Sequence, residues 1–421
     1  FCHDVPGAAD VMVIVKTSKA EIEKKLPAHL KTLLACVPNF AIFSDHAGEI
    51  EGFTVHNALQ DIQNSTRNGR KEFDTYEKML HDPSLKPDSI DKDLDKWKIL
   101  PMVYKSYKLR PYARFYFFIE ADTSMSWTNT LQWVDRLDYR IPYYAGAPIT
   151  LGSVKFAQRG PGIMLSYGAM KQFAIAYDER YQSEWEPRVG RECCGDMVLA
   201  TTLTESHVEF YSAFPLLQGE TPSSLDWTDR HWCAPMVSWH HMSSDDITSV
   251  WQHQTNWTSR NGWEKPYLFR DGFKDLILSN LAEKKDEWDN ISSDAKLEAP
   301  PKQEAERESH GQDAPRQEDE EKPVDKRDDP DLEKIGEQVK NAADSATSCK
   351  DTCKKTKDCL QWKYTTKNRG ECHLGKILRF GSKAPKKDDE MWTSGWMMDR
   401  INTKIEEWDK DCKEPKWKFN Q

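Results

Sequence analysis

Apolar runs and helical patterns alternate along residues 10–280 of the chain. Short apolar runs over residues 11–15, 40–43 and 115–119 predict buried strands, because a strand covered on both faces needs a nearly continuous apolar sequence. Residues 143–147 predict a further strand, and helices are predicted over about residues 19–35, 91–109, 168–177 and 195–203. Strands that alternate with helices predict an α/β fold with a parallel, doubly wound sheet.

The strand predicted at 115–119 is followed directly by two carboxylates, Glu120 and Asp122. In open α/β sheets, ligands bind outside the carboxyl ends of the strands. Acidic oxygens in that position suit a hard divalent cation that carries substrate phosphates, such as those of a nucleotide-sugar diphosphate. The alternative is an acidic strand end that only faces water.

The composition changes after residue 282. Residues 283–345 are dense in Glu, Lys, Asp and Gln and carry few apolar residues, which predicts a linker that cannot bury enough surface to fold. We predict disorder over about residues 296–330, and residues 331–346 allow a helix that leads into the next module. The chain therefore divides into residues 1–282, a linker at 283–345, and a third region at 346–412.

The third region is a compact cysteine module that ends in a polar tail. It contains Cys349, Cys353 and Cys359, then Trp362-Lys-Tyr364, then Cys372-His-Leu-Gly375. A core of this size needs disulfide staples, so a small disulfide-stapled domain is predicted.

Charge, cysteine content and glycosylation sequons limit the compartment and the partners. The formal net charge of −10 argues against nucleic acid as a partner, because a phosphate-binding surface needs a basic footprint. Ten cysteines and the sequons at Asn64, Asn256 and Asn290 favour the secretory pathway. No run approaches eighteen apolar residues, so no membrane span is predicted. Most of the sixteen tryptophans should be core, and exposed ones could stack on sugar faces.

Six segments, in this order, resemble motifs of glycosyltransferase family 31, the group that contains Fringe and the core-1 galactosyltransferase. They are Val13-Ile-Val-Lys-Thr17, Phe43-Ser-Asp45, Phe118-Ile-Glu-Ala-Asp-Thr123, Arg159-Gly-Pro-Gly-Ile-Met-Leu-Ser166, Gly195-Asp-Met-Val-Leu-Ala200 and Val237-Ser-Trp-His240. The cysteine module resembles a PAN/Apple domain in its cysteine spacing and its Trp-x-Tyr. The resemblance implies a glycosyltransferase A-type, Rossmann-like α/β fold with a mostly parallel sheet and flanking helices, followed by a small disulfide-stapled α+β PAN/Apple-like domain.

The segments depart from the family pattern at four positions. Glu120 and Ala121 replace the first two residues of the Asp-Asp-Asp-Thr metal motif, whereas Asp122, the residue that the family uses on the metal, is kept. Gly195 replaces the acidic residue before the catalytic base, and Ala200 replaces the closing glycine of that motif. A weakened or inactive enzyme is therefore the alternative to an active one.

The resemblance implies an inverting transferase that uses a metal, a carboxylate base and a nucleoside pocket. Asp122 and His240 are the candidate ligands for Mn²⁺, with Mg²⁺ as the alternative. Because His240 and His241 are adjacent, only one of them can face the site if they lie on a strand. Asp196 is the candidate base, and the alternative is that it caps the N-terminus of a helix.

The candidate nucleotide-sugar residues lie at predicted strand ends or in turns. Lys16, Thr17 and Asp45 are expected on the crevice side of the sheet, with surface loop positions as the alternative. Glu120 belongs to the same edge. Gly160 and Gly162 would let the backbone approach the sugar closely, with a simple turn as the alternative. These two glycines complete the predicted donor site.

The cysteines allow several pairings. Cys193, Cys194, Cys233 and the two histidines could suggest zinc, but the paired C-x2-C spacing of structural zinc is missing. We therefore prefer a disulfide from Cys193 or Cys194 to Cys233. Three further pairings are plausible: Cys2 with Cys36, Cys349 with Cys372, and Cys353 with Cys359.

The leading hypothesis is a transferase that moves a sugar from a UDP-sugar donor to a glycan or glycoprotein acceptor through a β-1,3 linkage. We expect it in the Golgi lumen with an N-terminal anchor that this chain lacks, or alternatively secreted. A second hypothesis is a catalytically weak or inactive glycan- or protein-binding relative. A third makes the Apple-like module, with a protein or carbohydrate ligand, the functional centre.

Overall fold

The computed structural model describes residue 2, residues 5–299 and residues 341–417. The chain forms two compact units. The first comprises Phe1–Thr221, Ala234–Phe269 and Pro415–Gln421, and the second comprises Pro222–Cys233 and Arg270–Glu414. The predicted disorder at 300–330 and helix at 331–340 lie outside the described residues.

The first unit is built on an eight-stranded sheet. Its strands, with two short two-stranded pairings, are β1 Val11–Lys16, β2 Phe40–Ser44, β3 Gly48–Ile50, β4 Phe53–Asn57, β5 Phe115–Glu120, β6 Ser124–Met125, β7 Tyr143–Gly146, β8 Pro148–Leu151, β9 Val154–Ala157, β10 Ile163–Ser166, β11 Glu209–Ser212 and β12 Ser238–Trp239.

The order in the large sheet is β11-β7-β10-β5-β1-β2-β4-β3. Strand β1 runs parallel to both β5 and β2, β2 runs parallel to β4, and β7 runs parallel to β11. Strands β10 and β3 are antiparallel to their neighbours. The prediction of an α/β fold with a largely parallel central sheet is therefore confirmed, and β8–β9 and β6–β12 form separate pairs.

The helices of the first unit include the four predicted ones, with shifted ends, and several that were not predicted. They are α1 Ile22–Lys31, α2 Asn64–Arg67, α3 Asp74–His81, α4 Lys92–Asp95, α5 Ile99–Leu109, α6 Trp127–Val134, α7 Tyr167–Arg180, α8 Glu186–Val189, α9 Gly195–Glu205 and α11 Ser244–Asn261. The helix predicted at 91–109 is interrupted by a 3₁₀ turn at Lys96–Lys98, between α4 and α5.

The central strands lie in the core because their sequences are apolar on both faces. Every residue of β1 is buried, and the apolar residues of β5 are 0–4% exposed. Met12, Ile14, Tyr116 and Phe118 belong to one core cluster with side chains of α5, α7 and α9. Burial of this kind fixes the sheet and leaves its polar strand ends at one edge.

The second unit is a small α+β structure around a five-stranded antiparallel sheet with the order β13-β19-β16-β17-β15. Its strands are β13 Lys285–Asp286, β14 Trp288–Asp289, β15 Ala295–Glu298, β16 Gln361–Thr365, β17 Glu371–Gly375, β18 Ser382–Lys383 and β19 Trp392–Trp396. Its helices are α10 Asp229–Trp232, α12 Phe269–Leu276, which starts at the unit boundary, α13 Ala346–Lys355 and α14 Met398–Asp411.

The linker prediction is wrong for residues 285–298, because β13 and β15 form the two edges of this sheet. Edge strands need few apolar residues, and here Ala295 is the buried anchor of β15. Asn290 is fully buried, and its side-chain amide donates to the carbonyl oxygens of Trp362 at 3.0 Å and Gly395 at 3.3 Å. The sequon at Asn290 is thus a structural element of the sheet, whereas Asn64 and Asn256 are exposed.

All ten cysteines are paired. The predicted pairs Cys2–Cys36, Cys349–Cys372 and Cys353–Cys359 are confirmed. The prediction of a bond from Cys193 or Cys194 to Cys233 is wrong, since Cys193 bonds to Cys194 and Cys233 bonds to Cys412. Five disulfides indicate an oxidising compartment. Among the described residues, no helix combines the length and the apolar character needed to cross a membrane.

Candidate functional site

The carboxyl ends of β1, β2 and β5 bring the predicted site residues to one edge of the sheet. Lys16 ends β1 and is the register partner of Glu120 at the end of β5. The chain places β2 on one side of β1 and β5 on the other, so this edge is a topological switch point. Crevices at such points are where open α/β sheets bind their ligands.

A compact charge cluster fills this edge. Lys16 Nζ lies 2.5 Å from Asp95 Oδ2 and 3.0 Å from Glu120 Oε2. Lys98 Nζ lies 3.0 Å from Asp95 Oδ1. Arg159 reaches Asp95 at 2.8 Å and Glu120 at 3.4 Å. Asp95 therefore contacts three cations, whereas Glu120 shares two of them at longer distances.

Because Asp95 contacts more cations than Glu120, the pKa values of the two carboxyl groups shift in opposite directions. Burial alone would raise the pKa of Asp95, but Lys16, Lys98 and Arg159 outweigh it and hold that pKa well below its ordinary range. Burial raises the pKa of Glu120 above its ordinary value, because Lys16 and Arg159 oppose it less effectively there. The cluster thus holds a firmly ionised Asp95 beside a carboxyl group that takes up a proton more readily.

The predicted nucleotide residues Thr17 and Asp45 are buried and held by the protein. Lys98 Nζ donates to the Thr17 carbonyl oxygen at 3.1 Å and lies 3.6 Å from Asp45 Oδ2. Asp45 Oδ1 accepts the backbone N–H of Lys19 at 2.8 Å and the Ser44 hydroxyl at 3.1 Å. Burial would raise the pKa of Asp45, but Lys98 and these hydrogen bonds hold it well below its ordinary range.

The candidate base Asp196 is tied to the same cluster through Arg159. Its Oδ2 accepts the backbone N–H of Arg159 at 3.0 Å, and its Oδ1 faces Arg159 Nε at 3.2 Å. Helix α9 begins at Gly195 with Cys194 as its N-cap residue, so the alternative role of Asp196 as the cap is wrong. A carboxylate in the first turn is still favoured by the helix dipole.

The position before the candidate base has no space for an acidic side chain. A Cβ atom on Gly195 would lie 2.8 Å from Ile99 Cδ1 and 3.3 Å from the Lys96 Cα. Packing of α9 against α5 and the preceding turn therefore accounts for a glycine here.

Asp122 and two histidines form a second, adjacent group. His240 Nε2 lies 3.3 Å from Asp122 Oδ1, and His241 Nδ1 lies 4.0 Å from Asp122 Oδ2. One ligand atom from each of the three residues lies within 4.8 Å of the others, a spacing that can hold a metal ion. One carboxylate oxygen and two imidazole nitrogens are a donor set that suits Mn²⁺.

The charge around Asp122 keeps it ionised. Burial would raise its pKa, but the hydrogen bond with His240 and the nearby Lys25, whose Nζ lies 3.9 Å from Oδ2, bring the pKa below its ordinary value. An ionised carboxylate is the form that binds a cation.

The condition under which only one histidine could face the site is not met. That condition is that both lie on a strand, but β12 ends at Trp239. His241 has a φ of 58°, in the left-handed region, so the chain turns there and returns the second imidazole toward Asp122. His241 remains the more exposed of the two, with 69% of its side chain accessible against 16% for His240.

Gly160 and Gly162 shape the turn that supports this group. A Cβ atom on Gly160 would lie 2.2 Å from His240 Cε1, so the glycine leaves the space in which the imidazole lies. The backbone N–H of Gly162 donates to the Arg159 carbonyl oxygen at 2.9 Å, which closes a tight turn, and its φ of 99° favours glycine. The Thr123 hydroxyl donates to the Gly160 carbonyl oxygen at 2.7 Å and links the turn to the end of β5.

Comparisons with known proteins find only a distant structural similarity. No protein-family model and no curated protein matches the chain. Among solved structures, the chain is similar to the crystal structure of a glycosyltransferase involved in the glycosylation of the major capsid of PBCV-1, with 9% sequence identity and a TM-score of 0.31. That match covers 57% of this chain and 98% of the other.

Sequence reasoning missed four residues of this edge: Asp95, Lys98, Arg159 and His29. Asp95 and Lys98 are spaced i, i+3 within the helix predicted at 91–109, where such a charged pair is typical of a solvated surface. Arg159 was visible only as the residue before two glycines. His29 is buried in α1, and its Nε2 lies 2.8 Å from the Ala121 carbonyl oxygen, where it supports the backbone between Glu120 and Asp122. Burial lowers the pKa of His29, so the neutral imidazole donates this hydrogen bond.

Proposed function

We propose that this chain is a metal-dependent inverting glycosyltransferase that moves a sugar from a UDP-sugar to a glycan or glycoprotein acceptor through a β-1,3 linkage. The observation that carries the proposal is the convergence of Asp122, His240 and His241 at the carboxyl edge of a largely parallel sheet. A divalent cation at such an edge suits a diphosphate leaving group. The inverting course, the UDP-sugar donor and the β-1,3 linkage rest on the resemblance of the sequence motifs.

In this proposal, Asp122 and His240 hold Mn²⁺, with His241 as a third ligand and Mg²⁺ as the alternative metal. When bound, the cation would neutralise the charge that develops on the diphosphate. Asp122 is suited to the task because its pKa lies below its ordinary value and it is therefore anionic at neutral pH.

Asp196 is the proposed base that takes the proton from the acceptor hydroxyl. The contact with Arg159 Nε at 3.2 Å orients its carboxylate, and a proton acceptor must be positioned in this way. Lys16, Thr17, Asp45 and Glu120 form the floor of the donor site. The tight turn at residues 159–162 allows the sugar to approach the backbone.

A catalytically weak or inactive binding protein is the second candidate, and one observation favours it. Arg159 pairs with Asp196, Asp95 and Glu120, and Lys16 pairs with the last two, so neither cation is held ready for a phosphate. A donor would have to compete with these carboxylates for Lys16 and Arg159. An inactive relative would keep the fold and these ion pairs, and could use the second unit to bind a protein or carbohydrate.

Donor hydrolysis separates the two candidates. The purified chain is incubated with a panel of UDP-sugars in Mn²⁺ and, separately, in EDTA, and UDP release is measured without acceptor. An enzyme should hydrolyse one donor preferentially and only with the metal, whereas an inactive relative should release no UDP above the rate of an Asp122→Asn variant.

A further inference from the structure

A cavity of about 350 Å³ lies in the first unit and is separate from the candidate metal group, since none of Asp122, His240 and His241 lines it. One wall is a face of helix α11, and the opposite wall includes Trp127 and the Cys2–Cys36 disulfide. The volume falls in the range of small-molecule pockets, which is about 300–1,000 Å³. Nothing in the proposed transfer chemistry uses this cavity.

The wall formed by α11 is a regular stripe. Trp251, Gln254, Thr255, Thr258 and Ser259 line the cavity at spacings of three and four residues, so they share one side of the helix. Trp251 is only partly buried, and Ser259 is exposed. The helix therefore presents an indole and a row of hydroxyl and amide groups to the same space.

The side chain of Gln254 is the informative member of this stripe. The residue is 7% exposed, and its amide makes no hydrogen bond with any other residue in the part of the chain that the structure describes. Because this amide has no protein partner among the described residues, it can form hydrogen bonds with a ligand in the cavity without breaking any that the fold needs. A group with two N–H donors and a carbonyl acceptor side by side matches neighbouring hydroxyls of one ligand.

The chemistry of the lining narrows the class of ligand. No charged side chain lines the cavity within the described residues, so an ionic ligand would lose its hydration without gaining a counter-charge. A purely apolar ligand would leave the Gln254 amide without a partner. A ligand with both an apolar face for the indoles and several neutral hydroxyls satisfies every part of the lining.

We propose that this cavity is a binding site for a neutral saccharide ring, distinct from the transfer centre. The apolar face of the pyranose lies against Trp251 or Trp263, and adjacent hydroxyls pair with the Gln254 amide. The proposal does not rest on the transferase function, and it gives two of the less buried tryptophans the stacking role that their exposure allows.

Saturation-transfer NMR on the full chain tests the proposal with methyl glycosides of glucose, galactose and mannose as probes. At least one glycoside should bind, and glucuronate and cyclohexanol should bind less well. Binding should persist in EDTA and in the Asp122→Asn variant, which separates this site from donor binding. Absence of binding by all three glycosides, or equal binding of cyclohexanol, would overturn the proposal.

Two kinds of variant locate the binding. Gln254→Met keeps the side-chain length and removes the amide, so it should weaken glycoside binding about tenfold, the effect of one or two lost neutral hydrogen bonds. Its thermal stability should be unchanged, because the amide makes no hydrogen bond with another described residue. Weaker glycoside binding at unchanged stability distinguishes a lost ligand contact from a damaged fold.

Ser259→Trp and Ser249→Trp form a matched pair. Both serines are exposed on α11, but only Ser259 lines the cavity. Ser259→Trp should block glycoside binding, whereas Ser249→Trp should leave it unchanged. Equal affinity in Ser259→Trp, Ser249→Trp and Gln254→Met would place the binding elsewhere and refute the assignment.

Discussion

Arg159 is the residue on which the charge cluster depends, and its replacement is the most informative perturbation of the fold around the site. Its guanidinium group contacts Asp95 at 2.8 Å, Asp196 at 3.2 Å and Glu120 at 3.4 Å. With Arg159→Gln, these three carboxylates lose a shared cation, and Lys16 and Lys98 remain beside Asp95.

The cost follows from burial. Removing one partner of a fully buried ion pair costs about 3–5 kcal/mol, and because 30% of the Arg159 side chain is exposed we expect about 2–3 kcal/mol for Arg159→Gln. Arg159→Lys keeps the charge, but one ammonium group cannot contact three carboxylates at once, so we expect a loss of about 1 kcal/mol. Turnover should fall in both variants, because Asp196 loses the group that orients it.

Urea unfolding of the disulfide-intact chain measures these differences. Arg140→Gln is the matched control. Among the described residues, the Arg140 side chain pairs only with Asp138, at 2.7 Å on the surface, so this change should not alter the unfolding midpoint measurably. Equal unfolding midpoints for Arg159→Gln and Arg140→Gln would show that the charge cluster does not stabilise this edge of the sheet.

Three further predictions concern the site. Asp196→Asn should lower turnover about a hundredfold, the usual scale for a lost general base, while UDP affinity measured by calorimetry stays the same; near-normal turnover would remove Asp196 from the mechanism. Gly160→Ala should weaken Mn²⁺ binding, because the added Cβ would lie 2.2 Å from His240 Cε1. Gly48→Ala is the control and should not weaken it, because its Cβ would lie 3.6 Å from the nearest atom, His46 Cδ2. Equal Mn²⁺ affinities of the two variants would contradict this prediction. Because the pKa of Asp45 lies below its ordinary value, its contribution to stability is present at neutral pH and is lost as the pH falls below about 4. Asp45→Asn should therefore make the free energy of unfolding less dependent on pH below about 4. An unchanged pH dependence in this range would argue against the depressed pKa.

Much of the first unit could be predicted because its strands are apolar on both faces. The runs at residues 11–15, 40–43 and 115–119 are all strands of the central sheet. The edge strands at 285–286 and 295–298 could not be predicted in the same way, because their stability comes from pairing with β19 and β17 rather than from their own apolar content. Long-range pairing of this kind leaves little trace in local composition.

Site residues that directly follow strands could be predicted from the sequence. Those whose position depends on tertiary packing could not. Asp122 follows β5 and His240 follows β12, and the structure places their side chains 3.3 Å apart. The approach of His241 to Asp122 depends on a left-handed backbone conformation, which cannot be predicted from the sequence at a non-glycine residue. Asp95 and Lys98 are charged residues that a sequence assigns to the surface, and only the fold shows that they are 5% and 1% exposed.

The most direct test of the account is metal-dependent UDP binding by the wild-type chain and the Asp122→Asn variant, measured by isothermal titration calorimetry with Mn²⁺ and with EDTA. The account predicts that the wild type binds UDP only with Mn²⁺, and that Asp122→Asn loses this binding while its thermal unfolding without metal changes little. UDP binding by the wild type that is equally strong in EDTA, or Mn²⁺-dependent binding that survives in Asp122→Asn, would contradict the assignment of the metal site.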